Sequence, residues 1–119
     1  MVQGVFDEVW GSKDEIAIKK YQTEDFILLE HGEVWTNDTI AKWCKAAKLR
    51  DNGSKRINTF DFFKAKKEHN RIWMTYHNYA TFKKDSILGK YEWLESVVAV
   101  KKDSVWKIEM MHSTRVPGD

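Results

Sequence analysis

The second half of the chain alternates apolar and polar residues with a period of two, which is the period of a β-strand. Four such runs follow one another, at about 56–67, 71–83, 90–102 and 104–116. The links between them are short and rich in turn-forming residues, and the only Pro, at position 117, follows the last run. Long strands joined by such links form an antiparallel meander, because each strand pairs with the next.

The first half shows apolar residues at helical spacing instead. This spacing predicts amphipathic helices over residues 2–10 and 13–21, the second behind a Ser-Lys-Asp-Glu capping box, and a third helix with its apolar stripe over 40–47. The apolar stretch between the last two helices, residues 26–35, predicts a short β-ribbon.

Helices followed by a sheet indicate an α+β domain, with the helices on one face of the sheet. Long strands in a small domain twist and curl around what they cover. We therefore expect one domain over residues 1–119, a cone-shaped α+β barrel. In it, the N-terminal helices pack in the concave face of a strongly curved antiparallel sheet.

Composition and charge exclude several classes of protein. The net charge is +2 and charged residues make up 32%, a mixed surface unlike that of a nucleic-acid-binding protein. No apolar run has the length of a membrane span, and no signal peptide is visible at the N-terminus. We favour a cytoplasmic location, with an exported mature form as the alternative. The single cysteine, Cys44, is expected to be a small buried apolar residue.

Metal and cofactor sites are not indicated by the sequence. The four histidines, His31, His69, His77 and His112, are far apart and form no spaced pair on one element. Glycine-rich phosphate loops and Ser or Cys nucleophile motifs are also lacking from the sequence. We expect neither a metal nor a cofactor.

The final predicted hairpin resembles that of the SnoaL-like branch of the nuclear-transport-factor-2-like superfamily. The likeness lies in W-L-E-S-V-V-A-V at 93–100, a Lys-Lys-Asp turn, V-W-K-I at 105–108 and M-H-S-T at 111–114. The turn departs from the family pattern, with Asp103-Ser104 where Asp-Gly is usual, and the first helix looks short. The resemblance implies the cone-shaped fold and a homodimer formed through the outer sheet face. It implies no particular activity, because enzymes and non-enzymes share this fold.

Two residues of this hairpin are our candidates for acid–base catalysis. A two-residue turn at Asp103-Ser104 would place Glu95 opposite His112, and each partner would shift the pKa of the other. A one-residue bulge would place Leu94 opposite His112 instead. The alternative to catalysis is a hydrogen bond that simply ties the two strands together.

Large aromatic and sulfur-containing side chains are expected to line a pocket inside the cone, because ligand sites combine apolar walls with few polar groups. We assign the lining to seven residues: Trp10, Trp35, Trp43, Met74, Tyr76, Trp93 and Met110.

Three functions fit this prediction. The first is a small-molecule-binding or accessory domain whose ligand is apolar or of mixed polarity. The second is a cofactor-free isomerase, cyclase or dehydratase that uses the acid–base pair. The third is an interaction module that dimerises through the outer sheet face. No nucleic-acid or membrane partner is expected.

Overall fold

The structure is a computed structural model, and it describes residues 1–117. Helix α1 spans Val2–Val5 and continues as a π-helical segment, Phe6–Gly11. A 3₁₀ turn, Glu15–Ala17, leads into helix α2, Ile18–Tyr21. Helix α3 spans Asn37–Leu49. All three predicted helices are present. The predicted capping box at Ser12 is not formed, because the second helical segment is capped by Asp14, whose side chain accepts from Ile16 N, and it is shorter than predicted.

Six strands form one sheet, in the order β2-β1-β6-β5-β4-β3. Their bounds are as follows: β1 Gln22–Glu30, β2 Glu33–Thr36, β3 Lys55–Glu68, β4 Arg71–Lys84, β5 Ser86–Lys102 and β6 Val105–Arg115. The four long strands pair as the predicted antiparallel meander. The β1–β6 pair is parallel, so the sheet is mixed and not wholly antiparallel. Periodicity along a strand does not specify a distant partner, and this pairing could not be read from it.

The core lies between the helices and the concave face of the sheet. Helix α1 contributes Val5 and Val9 in its two segments, and α3 contributes Ile40 and Cys44. Cys44 is buried, as expected. Thr36 and Thr39 form a reciprocal capping box that starts α3. This cap fixes the start of α3 directly after β2.

The turn of the last hairpin has the predicted length. Lys102 pairs with Val105, so Asp103 and Ser104 are the only turn residues. Both have positive φ, at 52° and 66°. Two left-handed residues match the right-handed twist of the flanking strands, which is why such turns favour hairpins.

Further along the hairpin, the register of the β5–β6 pair shifts by one residue, because Glu109 is an extra residue in β6 without a partner in β5. Beyond this bulge Glu95 pairs with Ser113, and His112 pairs with Ser96. The predicted pairing of Glu95 with His112 is therefore wrong. The bulged alternative is not formed either, since it required the extra residue in β5. His112 is exposed on the outer face of the sheet.

Candidate functional site

A cavity of about 280 Å³ lies between the helices and the concave face of the sheet. Its wall is mostly aromatic and includes three charged side chains. The lining residues are Phe6, Trp10, Leu28, Glu30, Trp35, Trp43, Arg56, Trp93, Glu95 and Met111.

Four of the seven predicted pocket residues line this cavity, and they are all tryptophans: Trp10, Trp35, Trp43 and Trp93. The other three lie elsewhere. Met74 packs against the hydrophobic core, and Tyr76 is fully buried within it. Met110 is turned away because the bulge at Glu109 brings Met111 to the inner face instead.

Three of the tryptophans form one continuous wall, although they come from three separate elements. The ring of Trp10 lies 4.9 Å from that of Trp43 on α3 and 6.2 Å from that of Trp35 on β2, measured between centroids. Tilted pairs at such distances are favourable aromatic contacts. The wall is thus held by mutual packing, and its rings, tilted by 52° and 59°, provide an angled apolar surface against which a ligand ring can pack.

Glu95 forms the polar end of the cavity and is 6% exposed. Its Oε2 accepts a hydrogen bond from Ser113 Oγ at 2.7 Å, and its Oε1 accepts one from Asn78 Nδ2 at 3.1 Å. Asn78 in turn accepts from Asn58 Nδ2 at 2.8 Å. The carboxylate is therefore fixed in one orientation by a buried polar network that crosses four strands.

Burial raises the pKa of the Glu95 carboxyl above its ordinary value, and the negative charge of Glu30 adds to the rise. Hydrogen bonds to the ionised form, including those from Ser113 and Asn78, oppose the rise without cancelling it. Burial also raises the pKa of Glu30. Both carboxyls can therefore exchange protons closer to neutral pH than an exposed glutamate does.

The Tyr76 hydroxyl is close enough to Glu95 for the carboxylate charge to act on it. Burial first, and then Glu95, raises the pKa of Tyr76 well above its ordinary value. Tyr76 Oη nevertheless has no hydrogen-bond partner of acceptable geometry within residues 1–117. Tyr76 is fully buried in the core and does not line the cavity, so its hydroxyl acts on Glu95 and not directly on a guest molecule.

Arg56 supplies the positive charge of the cavity and was not among the site residues predicted from the sequence. It begins the inward face of β3, where its Nε donates to Asn58 Oδ1 at 2.9 Å. Burial lowers its pKa to about 10, so it stays protonated at neutral pH. The available signal was the spacing of Arg56 and Asn58, two polar residues on the face of a strand that otherwise points to the core.

The histidines are outside the cavity. His77 Nδ1 lies 2.9 Å from Glu92 Oε2 on the outer face, beside the rings of Phe63 and Tyr79. Within residues 1–117 no three His, Cys, Asp or Glu side chains are grouped so that they could hold a metal ion. In the same part of the chain, no helix is both long enough and apolar enough to cross a membrane.

The sequence matches no protein-family model and no curated protein. Solved structures do match. An NTF2-like protein from Cytophaga hutchinsonii superposes with a TM-score of 0.69 at 14% identity, over 92% of this chain and 88% of that one. The chain has the NTF2-like fold. This confirms the fold that the final hairpin implied, while the closer likeness to the SnoaL-like branch stays a prediction.

Two other proteins with similar structures carry more specific names. A ketosteroid isomerase-like protein from Erwinia carotovora atroseptica has a TM-score of 0.67 at 11% identity, over 93% of this chain and 88% of that one. A putative calcium/calmodulin dependent protein kinase II association domain from Xanthomonas campestris has a TM-score of 0.74 at 13% identity, over 96% and 82%. At these identities the NTF2-like fold is shared, and no activity is transferred by it.

Proposed function

We propose that this protein binds a small molecule of mixed polarity in the tryptophan-lined cavity. One observation carries the proposal: an apolar wall made by Trp10, Trp35 and Trp43 faces a fixed carboxylate, Glu95, and a fixed cation, Arg56. Apolar walls with a few converging polar groups characterise ligand sites, because the walls supply affinity and the polar groups supply orientation. The volume of about 280 Å³ suits a ligand of one or two rings.

Two neighbouring methionines provide a matched test. Met111 lines the cavity, whereas Met110 lies on the other side of the same strand. Met111→Phe should fill part of the cavity and abolish the rise in melting temperature that a one- or two-ring fragment causes. Met110→Phe should leave that rise unchanged. Equal ligand responses in the two variants, each confirmed as folded by circular dichroism, would contradict binding at this site.

The second function is acid–base catalysis by Glu95 without a cofactor, as in an isomerase, cyclase or dehydratase. A carboxyl with a raised pKa at the wall of a largely apolar cavity favours it, because a general acid or base works best when its pKa lies near the operating pH. The Tyr76 hydroxyl lies beside Glu95 but not on the cavity wall, so it tunes the pKa of this carboxyl without contacting a substrate. His112 is exposed on the outer face of the sheet and is not proposed as a catalytic residue.

This second function has a direct assay that needs no knowledge of the natural substrate. Proton abstraction from 5-nitrobenzisoxazole opens its ring and gives a coloured product, so it reports a general base in an apolar cavity. We expect turnover that rises with pH as Glu95 ionises and that is lost in Glu95→Gln. Glu92→Gln, on the outer face, is the control and should keep the rate. A rate equal to that of free acetate would leave binding as the function.

The outer sheet face supports a homodimer, the third proposal. Large apolar side chains stand exposed along neighbouring strands of this face, including Ile27, Leu29, Trp73, Tyr79 and Leu94. Contiguous exposed apolar patches on a folded domain mark interaction surfaces. Because one copy presents the same patch as another, a two-fold pairing covers both.

Sedimentation velocity tests the dimer. Leu94, 43% exposed at the middle of the patch, is changed to Glu to place a charge in the interface. Leu49→Glu is the control, since Leu49 is 90% exposed at the end of α3 and outside the sheet. We expect a dimer for the wild type and Leu49→Glu and a monomer for Leu94→Glu. A monomeric wild type at micromolar concentration would refute the proposal.

A further inference from the structure

The guanidinium of Arg56 is held rigidly while most of its donors are unused. It lies over three aromatic rings, at 5.8 Å from the centroid of Phe6 and 5.4 Å from those of Phe82 and Trp93. Its Nε is bound to Asn58. The two Nη atoms, which carry four N–H donors, make no hydrogen bond to any residue within 1–117.

No carboxylate neutralises this cation. The ion pairs found between residues 1–117 do not include Arg56, although Glu30 and Glu95 are near enough for their charges to act on it. Glu95 cannot swing towards Arg56 without giving up its bonds to Ser113 and Asn78. Arg56 is thus a half-buried cation with no ion-pair partner within residues 1–117, and its free N–H donors are available to an anionic ligand.

We propose that the cavity is selective for small carboxylic acids whose apolar ring packs against Trp10, Trp35 and Trp43 while the carboxylate binds the free Nη donors of Arg56. This inference rests on the proposed function as a binding cavity and specifies its ligand class. A planar guanidinium donates two parallel hydrogen bonds to a carboxylate, and both are strengthened by charge. The aromatic rings under Arg56 hold its plane before the ligand arrives, so little ordering is needed on binding.

The two cavity carboxylates and the faces of the tryptophan rings could instead attract a cationic ligand. Two facts weigh against it. Each oxygen of Glu95 already accepts one side-chain hydrogen bond, and the raised pKa values of both Glu95 and Glu30 favour the uncharged carboxyl more than in an exposed glutamate. Arg56 stays charged at neutral pH, lines the cavity and makes no hydrogen bond through its Nη atoms within residues 1–117.

The experiment compares ligands that differ only in the group presented to Arg56. Benzoate, 2-naphthoate and biphenyl-4-carboxylate are titrated into the wild-type protein, each beside its carboxamide and its aminomethyl analogue. Quenching of tryptophan fluorescence reports binding, because four tryptophans line the cavity. We expect at least one ring size to bind, with its carboxylate about tenfold or more tighter than its carboxamide, as for a charge-assisted pair replacing a neutral one.

Two variants assign the preference to Arg56. Arg56→Gln should remove the carboxylate preference, and Arg56→Lys should keep part of it, since the charge remains but the planar fork is lost. Arg50→Gln, an exposed arginine beyond α3, is the control and should behave as the wild type. If Arg56→Gln does not fold, the difference in affinity between carboxylate and carboxamide measured on the wild type still tests the selectivity.

Each outcome has one meaning. Tighter binding of the carboxylate that depends on Arg56 supports the inference. Equal binding of carboxylate and carboxamide, or tightest binding of the amine, overturns it and leaves the proposed cavity function intact. Absence of binding by all nine probes at millimolar concentration overturns the inference together with the binding function from which it was developed.

Discussion

At the scale of the residue, Glu95 links the stability of the protein to pH. Burial raises the pKa of its carboxyl in the folded state above the ordinary value of 4.5, whereas in the unfolded chain the value is ordinary. Between these two values the folded state binds more protons than the unfolded state. The contribution of Glu95 to the free energy of unfolding is therefore greatest below pH 4.5 and falls as the pH rises through the folded-state pKa.

A comparison of the wild type with Glu95→Gln isolates this contribution. We expect the wild type to lose stability relative to Glu95→Gln as the pH increases from 4.5 to 8, because only the wild type must ionise a buried carboxyl. Glu30, whose pKa is raised mainly by its own burial, is present in both proteins, so that burial contributes equally to the two. Urea unfolding at four pH values measures the difference. A difference that stays constant over this range, or grows with pH in favour of the wild type, would contradict the assignment.

Glu95 also shows which features of the site could be predicted from the sequence and which could not. Glu95 was identified through its expected pairing with His112. It lines the cavity although that pairing is not formed, because alternation along β5 places its side chain on the inner face whatever residue lies opposite. Its partner was misidentified because one extra residue, Glu109, moves every later position of β6 to the other face. Nothing in the residues around Glu109 marks a bulge. Arg56 was missed because a charge near the start of a strand is usually solvated.

At the scale of the element, the contact between α1 and α2 depends on a glycine. A Cβ added at Gly4 would lie 2.6 Å from the ring of Tyr21 and 2.7 Å from its hydroxyl oxygen. The ring cannot swing aside freely, because the Tyr21 hydroxyl also donates to Glu8. In a free helix, Gly→Ala stabilises by about 1 kcal/mol. Here the overlap outweighs that gain.

We expect Gly4→Ala to destabilise the protein by about 1–3 kcal/mol, the usual cost of overpacking. The control is the same change in a Tyr21→Ala background, where the overlap is gone and helix propensity should make it neutral or stabilising. Thermal and urea unfolding of the four proteins complete the double-mutant cycle. Equal effects of Gly4→Ala in both backgrounds would show that Tyr21 is not the cause.

At the scale of the whole molecule, local pairing was predictable and distant pairing was not. The three hairpins of the meander join strands through short turns, so neighbours in sequence are neighbours in space. The β1–β6 pair joins residues 22–30 to 108–113 and so adds β1 and β2 to the meander, and its parallel direction follows from the path of the whole chain. The cavity depends on this pairing, because Leu28 and Glu30 of β1 form part of its wall.

Strand β5 is paired on both sides over only part of its length, and this predicts which of its backbone hydrogen bonds open first. From Trp93 to Val100 β5 is paired on both sides, with β4 and β6, but residues 86–91 are paired only with β4 because β6 ends at Arg115. Backbone hydrogen bonds near a free edge open with less free energy than those in the centre of a sheet. Native-state hydrogen exchange should therefore be faster for amides of 86–91 than for those of 95–99. Equal protection would indicate that the free edge is covered, and a repeat with the monomeric Leu94→Glu variant would show whether a second copy covers it.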